Sequence, residues 1–183
     1  MKKILAKLPR VMMAVLFAVT LIQPLTARSG NATAVAKTAP AMNNAFLIAD
    51  DPEAVYQSAR IVHNVTVKGK KGMRVHAKFT VKHGLDVACR MIAYFYYDDS
   101  DNTPLTAGDP NYRTRDGNVS AYTNFTPAYD PAVYNDLQIF IPYDALNMDS
   151  GESDLKFYLA LYDNEGQRFF GRSGWYKFQL TMP

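Results

Sequence analysis

The chain has 183 residues, with 20 Lys or Arg against 17 Asp or Glu and a formal net charge of +3. Four of the positive charges lie in the first ten residues, and without them the balance is 16 against 17, a net charge of −1. The basic character therefore belongs to the N-terminus and gives no reason to expect a nucleic-acid partner. Cys89 is the single cysteine, so an internal disulfide is excluded and an apolar core must hold the fold.

Residues 1–27 have the organisation of a secretory signal peptide. A basic start precedes an apolar run from Val11 to Ile22, and Pro24 and the small Ala27 then supply a suitable cleavage point. The run is shorter than the roughly 20 residues that a bilayer span requires, and an uncleaved anchor is the alternative. We therefore expect an exported protein, periplasmic or extracellular, with no membrane span after cleavage.

Residues 28–54 are predicted to form a flexible tether. The stretch from Arg28 to Asn44 is rich in small and polar residues and has no hydrophobic periodicity. Asp50, Pro52 and Glu53 follow, and an acidic cap with proline in the first turn is typical of the start of a helix. We therefore expect a short helix that leads into the folded domain at residues 55–183.

The first part of this domain is predicted to be a β-hairpin. In Met73–Lys82 the apolar and polar residues alternate, as in an antiparallel strand with one face on a core. Gly69–Gly72 joins this strand to Ala59–Lys68, with two glycines that would supply the positive φ of a hairpin turn. The polar side of the second strand is a basic face, formed by Arg74, His76, Lys78 and Lys82.

The remaining strands predict an all-β fold. Val87–Tyr97 is apolar on both faces, so it should be central in a sheet or have its second face covered. Seven or eight strands without a long helix predict an antiparallel two-sheet β-sandwich of immunoglobulin-like or C2-like kind, with a small closed barrel as the alternative. Further strands are predicted at Asn118–Phe125, Asp136–Pro142, Leu155–Tyr162, Gln167–Gly171 and Trp175–Met182, and a helical turn at Tyr143–Leu146.

The sequence lacks the common catalytic motifs. It contains no Gly-x-Ser-x-Gly, no His-Glu-x-x-His and no phosphate-binding glycine loop. Its three histidines, His63, His76 and His83, all lie in or beside the first hairpin. We therefore expect a protein without enzymatic activity, and a hydrolase of unrecognised type is the least favoured alternative.

Two acidic turns raise the hypothesis of a calcium site. Calcium prefers about six to eight oxygen ligands, and a sandwich can bring two turns together at one end. The sequence therefore leaves open a calcium-dependent module that binds carbohydrate or an anionic surface, although acidic turns also form for backbone reasons alone. No other cofactor is expected. One turn carries Asp98, Asp99 and Asp101 and the other carries Asp163 and Glu165, each directly after a strand that ends in Tyr-Asp.

Two surfaces are candidates for binding a partner protein or a cell-surface glycan. The basic face is one, for a polyanion, although its charges would equally pair with acidic residues of neighbouring strands. The irregular segment 98–135 is the other, because aromatic and guanidinium groups on a long loop can stack on sugars or grip a protein. The alternative is that its tyrosines cap the sheet edges. The candidate residues of this segment are Tyr112, Arg113, Arg115, Tyr122, Tyr129 and Tyr134.

Residues 60–183 resemble small exported bacterial β-sandwich modules, many of them of unassigned function. The resemblance rests on Tyr94–Tyr97 with the acidic turn and Pro104-Leu105 after it, on Asp136–Leu146 and on Leu155–Asp163. It implies the sandwich fold and carries no catalytic residues. We therefore expect an exported, non-enzymatic binding or assembly module.

Overall fold

The computed structural model of the protein describes residues 50–182. The predicted signal peptide and most of the predicted tether lie outside the described residues. In the described part no helix is long and apolar enough to cross a membrane. This part consists of eight strands and two single turns of 3₁₀ helix, Pro110–Tyr112 and Tyr143–Leu146. The strands are β1 (Glu53–Val67), β2 (Lys70–Lys82), β3 (Cys89–Tyr97), β4 (Ser120–Phe125), β5 (Ala132–Pro142), β6 (Gly151–Asp163), β7 (Arg168–Arg172) and β8 (Tyr176–Met182).

The strands form two antiparallel sheets. The smaller sheet has the order β1-β2-β5, and the larger sheet has the order β4-β3-β6 with β7 and β8 beside β6. β7 pairs with Ala160–Asp163 and β8 pairs with Gly151–Phe157, so the two together act as one edge strand that is interrupted between them. The prediction of an all-β fold with two antiparallel sheets is confirmed.

One apolar core lies between the two sheets and gives a β-sandwich-like arrangement. Phe79 of the smaller sheet meets Phe125 of the larger sheet edge-on, with 5.6 Å between the ring centroids. Burying a large apolar side chain completely stabilises the fold by roughly 1.5–3 kcal/mol, so this face of β2 is a main source of stability. The inward side chains of β2 are at most 1% exposed, as its alternation predicts: Met73, Val75, Ala77, Phe79 and Val81.

The helix expected near Asp50 is not formed, and this prediction was wrong. β1 begins at Glu53 and continues for 15 residues, paired with β2 from Glu53 opposite Lys82 onward. Ala54 and Tyr56 pack against the core. The pairing and this burial outweigh the local helix-start preference of the sequence, which is a weak preference on its own.

The first hairpin turn lies earlier than predicted. β1 ends at Val67 and the two turn residues are Lys68 (φ 51°) and Gly69 (φ 79°), both with the positive φ that a two-residue hairpin turn needs. Gly72 lies inside β2, where a Cβ atom would collide with the backbone of Ile141. Gly72 is therefore required for the close approach of β2 and β5 and not for the turn.

β3 is central in the larger sheet, as its two apolar faces predict. It pairs with β4 along one edge and with β6 along the other. Cys89 at its start is a free cysteine with 1% exposure, and burial raises the pKa of its thiol to about 11. The thiol is therefore a small apolar core group at neutral pH, as expected from its place in an apolar strand.

Candidate ligand-binding face

The outer side of the larger sheet carries a group of aromatic side chains. Tyr94 of β3 lies directly opposite Tyr158 of β6. Because side chains alternate along a strand, these two tyrosines lie on the side opposite to the core residues Phe95 and Phe157. We call the outer side the aromatic face and define it by Tyr94, Tyr96, Tyr158, Phe169 and Trp175.

Four rings of the aromatic face are in mutual contact. Tyr94 stacks on Tyr158 with 5.1 Å between centroids, and Tyr96 lies 5.9 Å from Tyr158. Trp175 meets both Tyr96 and Tyr158 edge-on at 5.1 Å, and such separations are favourable for aromatic pairs. These four rings hold one another in place, and Trp175 is 39% exposed. Phe169, which is 58% exposed, packs edge-on against Tyr162.

The interruption between β7 and β8 places Trp175 on this face. The Ser173 Oγ accepts a hydrogen bond from the Leu159 N–H and donates one to the Gly174 carbonyl, both at 2.8 Å. The Ser173 N–H donates to the Leu159 carbonyl, also at 2.8 Å. These bonds fix the bend that precedes Trp175, so a side chain outside any strand has a defined position.

Two cations contact the aromatic face and differ in their partners. The Arg172 guanidinium carbon lies 4.0 Å from the centroid of the Tyr158 ring, and the Lys156 Nζ lies 5.2 Å from that of Trp175. Lys156 is 5% exposed, and its ammonium donates to the Asp99 carbonyl at 2.8 Å and lies 3.6 Å from an Asp98 carboxylate oxygen. Arg172 is exposed, and no carboxylate within residues 50–182 lies at ion-pair distance from it.

Two adjoining depressions lie on this side of the larger sheet, and together we call them the aromatic groove. The first has a volume of about 400 Å³ and is lined by Tyr94, Tyr158, Ala160, Phe169, Gly171 and Arg172. The second, of about 390 Å³, shares Tyr94, Tyr158 and Phe169 and adds a polar rim of Thr114, Arg115, Asp116 and Asn118. These volumes fall within the range of roughly 300–1,000 Å³ that is usual for ligand sites.

The tyrosine hydroxyls of the groove are neutral hydrogen-bonding groups. Burial, with a contribution from hydrogen bonding to Tyr96, raises the pKa of Tyr158 to about 12. Burial also raises the pKa of Tyr94. Both side chains therefore keep their protons at physiological pH and can donate as well as accept hydrogen bonds.

The structure does not bring the six candidates of segment 98–135 into one site. Arg115 lies on the rim of the aromatic groove. Tyr112 and Tyr122 line a separate depression of about 570 Å³ together with Lys70. The guanidinium of Arg90 covers the Tyr122 ring at 4.3 Å.

The other three candidates of this segment have different surroundings. Tyr134 packs on Phe79 and Phe125, each with 5.0 Å between centroids, and so belongs to the margin of the core. Tyr129 is 76% exposed, and Arg113 pairs with Val119 through the backbone. The six residues therefore do not share one depression, because the segment folds back along β3 and β4 and divides them, and ligand binding by any of them stays a prediction.

The two acidic turns lie at opposite ends of β3 and β6. Tyr97 pairs with Leu155, whereas Cys89 pairs with Asp163. Eight steps along a strand separate these ends by roughly 27 Å at about 3.4 Å per residue. A calcium site shared by the two turns is therefore excluded by the register, and this part of the prediction was wrong. In the described residues no group of three or more His, Cys, Asp or Glu side chains is placed to hold a metal ion.

The acidic side chains of these turns have local partners. Asp98 contacts Lys177 at 2.8 Å, and this hydrogen bond lowers the pKa of the carboxyl. The Asp99 carboxylate accepts the Thr103 N–H at 3.0 Å, and the Ser100 hydroxyl donates to Asp101 at 3.4 Å. In the second turn the Asp163 carboxylate accepts the N–H groups of Glu165 and Gly166, each at 2.9 Å. This is the turn chemistry that Asp residues commonly provide.

The basic face lies on the outer side of the smaller sheet, where it is partly paired. The His76 Nδ1 lies 2.6 Å from the Asp136 carboxylate of the neighbouring strand and 3.3 Å from Arg60. The hydrogen bond from His76 holds the pKa of Asp136 below its ordinary value. Lys78 and Lys82 are exposed, and Arg74 is half-buried. Pairing across the sheet, one of the two alternatives for this face, therefore accounts for its central histidine.

The aromatic face was not among the residues singled out from the sequence. Its signal was present, because β3 and β6 both carry tyrosines at the positions that alternate with core residues. The sequence did not show that these positions lie side by side, and Trp175 and Arg172 come from a separate edge strand.

A comparison of the chain with models of known protein families gave no match, and a comparison with curated proteins gave no similar sequence. Function must therefore be argued from the geometry and chemistry of the site.

Proposed function

We propose that the protein is a non-enzymatic module that acts outside the cytoplasm and binds saccharides in the aromatic groove. The observation that carries the proposal is that partly exposed aromatic rings line a depression together with the small side chain of Ala160. The face of an aromatic ring is electron-rich, and the C–H groups of a sugar ring carry partial positive charge, so the two pack favourably. Tyr94 and Tyr158 are anchored by their own contacts and would not need to be ordered on binding.

The polar rim supports the same ligand class. A saccharide carries many hydroxyl groups, each of which donates and accepts hydrogen bonds. Arg115 and Asn118 offer donors, and Asp116 and the Thr114 hydroxyl offer acceptors, along one side of the groove. A concave aromatic site with a few polar groups is typical of a small-ligand site, whereas a partner protein needs a larger interface, of about 1,000 Å² or more in total.

We also propose that the fold is immunoglobulin-like, and the order of the strands supports this. The orders β1-β2-β5 and β4-β3-β6-β7 correspond to strands A-B-E and C′-C-F-G of an immunoglobulin-like sandwich. In that correspondence β7 and β8 share the position of the last strand. Export is supported by the N-terminal sequence pattern of residues 1–27.

The test is electrophoresis through native gels that contain neutral and acidic plant, algal and animal polysaccharides. We expect at least one polysaccharide to retard the protein, and Phe169→Ala to weaken that retardation at least tenfold, because it removes an exposed ring that lines both depressions. Lys71→Ala, near the exposed start of β2 in the smaller sheet, is the surface control and should bind like the unaltered protein. Absence of retardation in every gel, or equal retardation of the Phe169→Ala protein, would contradict the proposal.

A further inference from the structure

We infer that the aromatic groove selects saccharides that carry a carboxylate, as uronic-acid polymers do, and that Arg172 binds this carboxylate. The inference rests on the proposed saccharide function and adds the chemical class of the ligand. Its basis is the position of an exposed guanidinium that has no carboxylate at ion-pair distance within residues 50–182 and lies 4.0 Å from the Tyr158 ring.

Arg172 packs against aromatic rings, and no side-chain hydrogen bond of its guanidinium is found within residues 50–182. A guanidinium that lies over an aromatic ring uses its flat face for that contact, and its N–H groups lie in the guanidinium plane. The guanidinium is also 5.7 Å from the centroid of the Trp175 ring, so two aromatic side chains restrict it. A planar cation held in this way is suited to a bidentate bond with a carboxylate, which is stronger than a hydrogen bond between neutral groups.

The charge of the groove also favours an anionic ligand. Arg172 and Arg115 line the groove, and within residues 50–182 neither has a carboxylate at ion-pair distance. Asp116 is the one acidic side chain among the lining residues, so the two arginines give the lining a net positive charge. The charge of Lys156 is already matched, because Asp98 lies beside it. An anion in the groove would therefore meet uncompensated positive charge.

The distance between ring and cation favours a uronic acid over an acidic peptide. In a uronic acid the carboxylate is attached directly to a ring carbon. A sugar ring that packs on the exposed ring of Phe169 lies in the same depression as Arg172, so its carboxylate comes within short reach of the guanidinium. An acidic peptide carries its carboxylates on flexible side chains and has no flat apolar ring beside them, so it would leave the aromatic surface unused.

The experiment compares each polymer with its own neutral form. The unaltered protein is run through native gels that contain polygalacturonate, alginate or hyaluronan, and through gels that contain the same polymers after reduction of their carboxyl groups to alcohols. We expect at least one uronate polymer to retard the protein, and reduction to weaken the apparent affinity at least tenfold. Arg172→Gln should weaken binding to the native polymer to a similar degree. Arg172→Lys should give an intermediate loss, because it keeps the charge and loses the planar fork.

Two controls separate this result from general electrostatics and from unfolding. Lys71→Gln removes the same charge from the other sheet, at an exposed position outside the basic face, and should leave the retardation unchanged. Near-ultraviolet circular dichroism and the melting temperature of the Arg172→Gln protein should match those of the unaltered protein, since Arg172 is exposed.

The outcomes distinguish this inference from the proposed function. Equal retardation by the native and reduced polymers, with loss in Phe169→Ala, would overturn carboxylate selection and leave saccharide binding intact. No retardation by any native or reduced uronate polymer would overturn the inference, and absence of retardation in the wider polysaccharide panel as well would overturn the proposed function. Competition by poly-glutamate as strong as that by the free uronate polymer would show that carboxylates are bound without the sugar ring, and the saccharide part of the inference would be wrong.

Discussion

The outer sides of the two sheets face solvent in different ways. On the smaller sheet the central polar group, His76, is bonded to Asp136, and Lys78 and Lys82 are exposed. On the larger sheet the outer positions carry contacting rings, and Arg172 packs on them without a carboxylate partner in the described part of the chain. The basic charge of the first hairpin is conspicuous in the sequence, yet it is the larger sheet that combines such a cation with a group of contacting aromatic rings.

The contrast also exists within one strand. β6 directs Leu159 into the core with 0% exposure and Tyr158 to the outer side, where it is half-buried. Both side chains are largely apolar and adjacent in sequence. Leu159 is buried against the opposite sheet and so contributes to the core. Tyr158 keeps contact with solvent and is therefore available to a ligand.

The largest expected effect tests this difference directly. Leu159→Ala should lower the free energy of unfolding by about 2–5 kcal/mol, because it leaves a cavity in a close-packed core. Phe169→Ala should cost less, about 0.5–1.5 kcal/mol for its one aromatic pair with Tyr162, and should weaken saccharide binding because the ring lines both depressions. Urea denaturation measures the first quantity and gel retardation measures the second. If Phe169→Ala destabilised the protein as much as Leu159→Ala, the aromatic face would be a second core and not a binding surface.

The next effect concerns the bend that positions Trp175. Ser173→Ala removes the acceptor of the buried Leu159 N–H and should lower the free energy of unfolding by about 1–3 kcal/mol. It should also reduce the near-ultraviolet circular dichroism of Trp175, because the ring loses its fixed position. Thr181→Ala, which removes an exposed hydroxyl from β8, should change neither quantity. An unchanged tryptophan signal in Ser173→Ala would show that ring packing alone holds Trp175.

A smaller effect is expected on the outer side of the smaller sheet. The pKa of Asp136 is lowered by its hydrogen bond from His76, so the folded state favours the carboxylate. Its stabilising contribution is present above the ordinary pKa of 3.8 and is lost as the pH falls through the lower folded value. Asp136→Asn should therefore lower the melting temperature slightly at pH 6, and the difference should vanish in more acidic solution. Asp144→Asn, at another exposed carboxylate, is the control. A difference that persisted or grew at acid pH would contradict this account.

The fold was largely predictable because the apolar alternation is strict. β2 reads as a strand with one buried side, and the structure buries those residues. The helix expected near Asp50 failed because pairing with β2 decides the conformation there, and pairing is a long-range property. The predicted turn around Gly69 was about two residues too late in the chain, for a related reason. Gly72 is required by the close approach of the Ile141 backbone and not by the turn.

The candidate site was predictable only in its residue types. The sequence predicts aromatic and guanidinium groups for a ligand site, and the aromatic groove is lined by both, but apart from Arg115 other residues provide them. Tyr158 and Trp175 come together through strand order and through the bend at Ser173, which the sequence does not specify. The two Tyr-Asp strand ends, at Asp98 and Asp163, have the same local sequence and lie at opposite ends of an antiparallel pair. The direction and register of the strands, and not the residue types, therefore determine which aromatic groups come together and why the two acidic turns lie apart.

The smallest expected effect is that of calcium on the acidic turns. A ligand that binds the folded state alone raises stability by about 2.7 kcal/mol at a hundredfold excess over its Kd, which would move the melting temperature by several degrees. We expect millimolar calcium, compared with chelator, to leave it unchanged, because Asp98 is held by Lys177 and the Asp99 and Asp163 carboxylates accept turn N–H groups. A rise that Asp99→Asn abolishes and Asp163→Asn does not would assign a cation site to the turn after β3 alone. That turn also supplies the partners of Lys156 beneath Trp175. Such a result would therefore couple calcium to the aromatic face, and saccharide binding would have to be measured again with and without the ion.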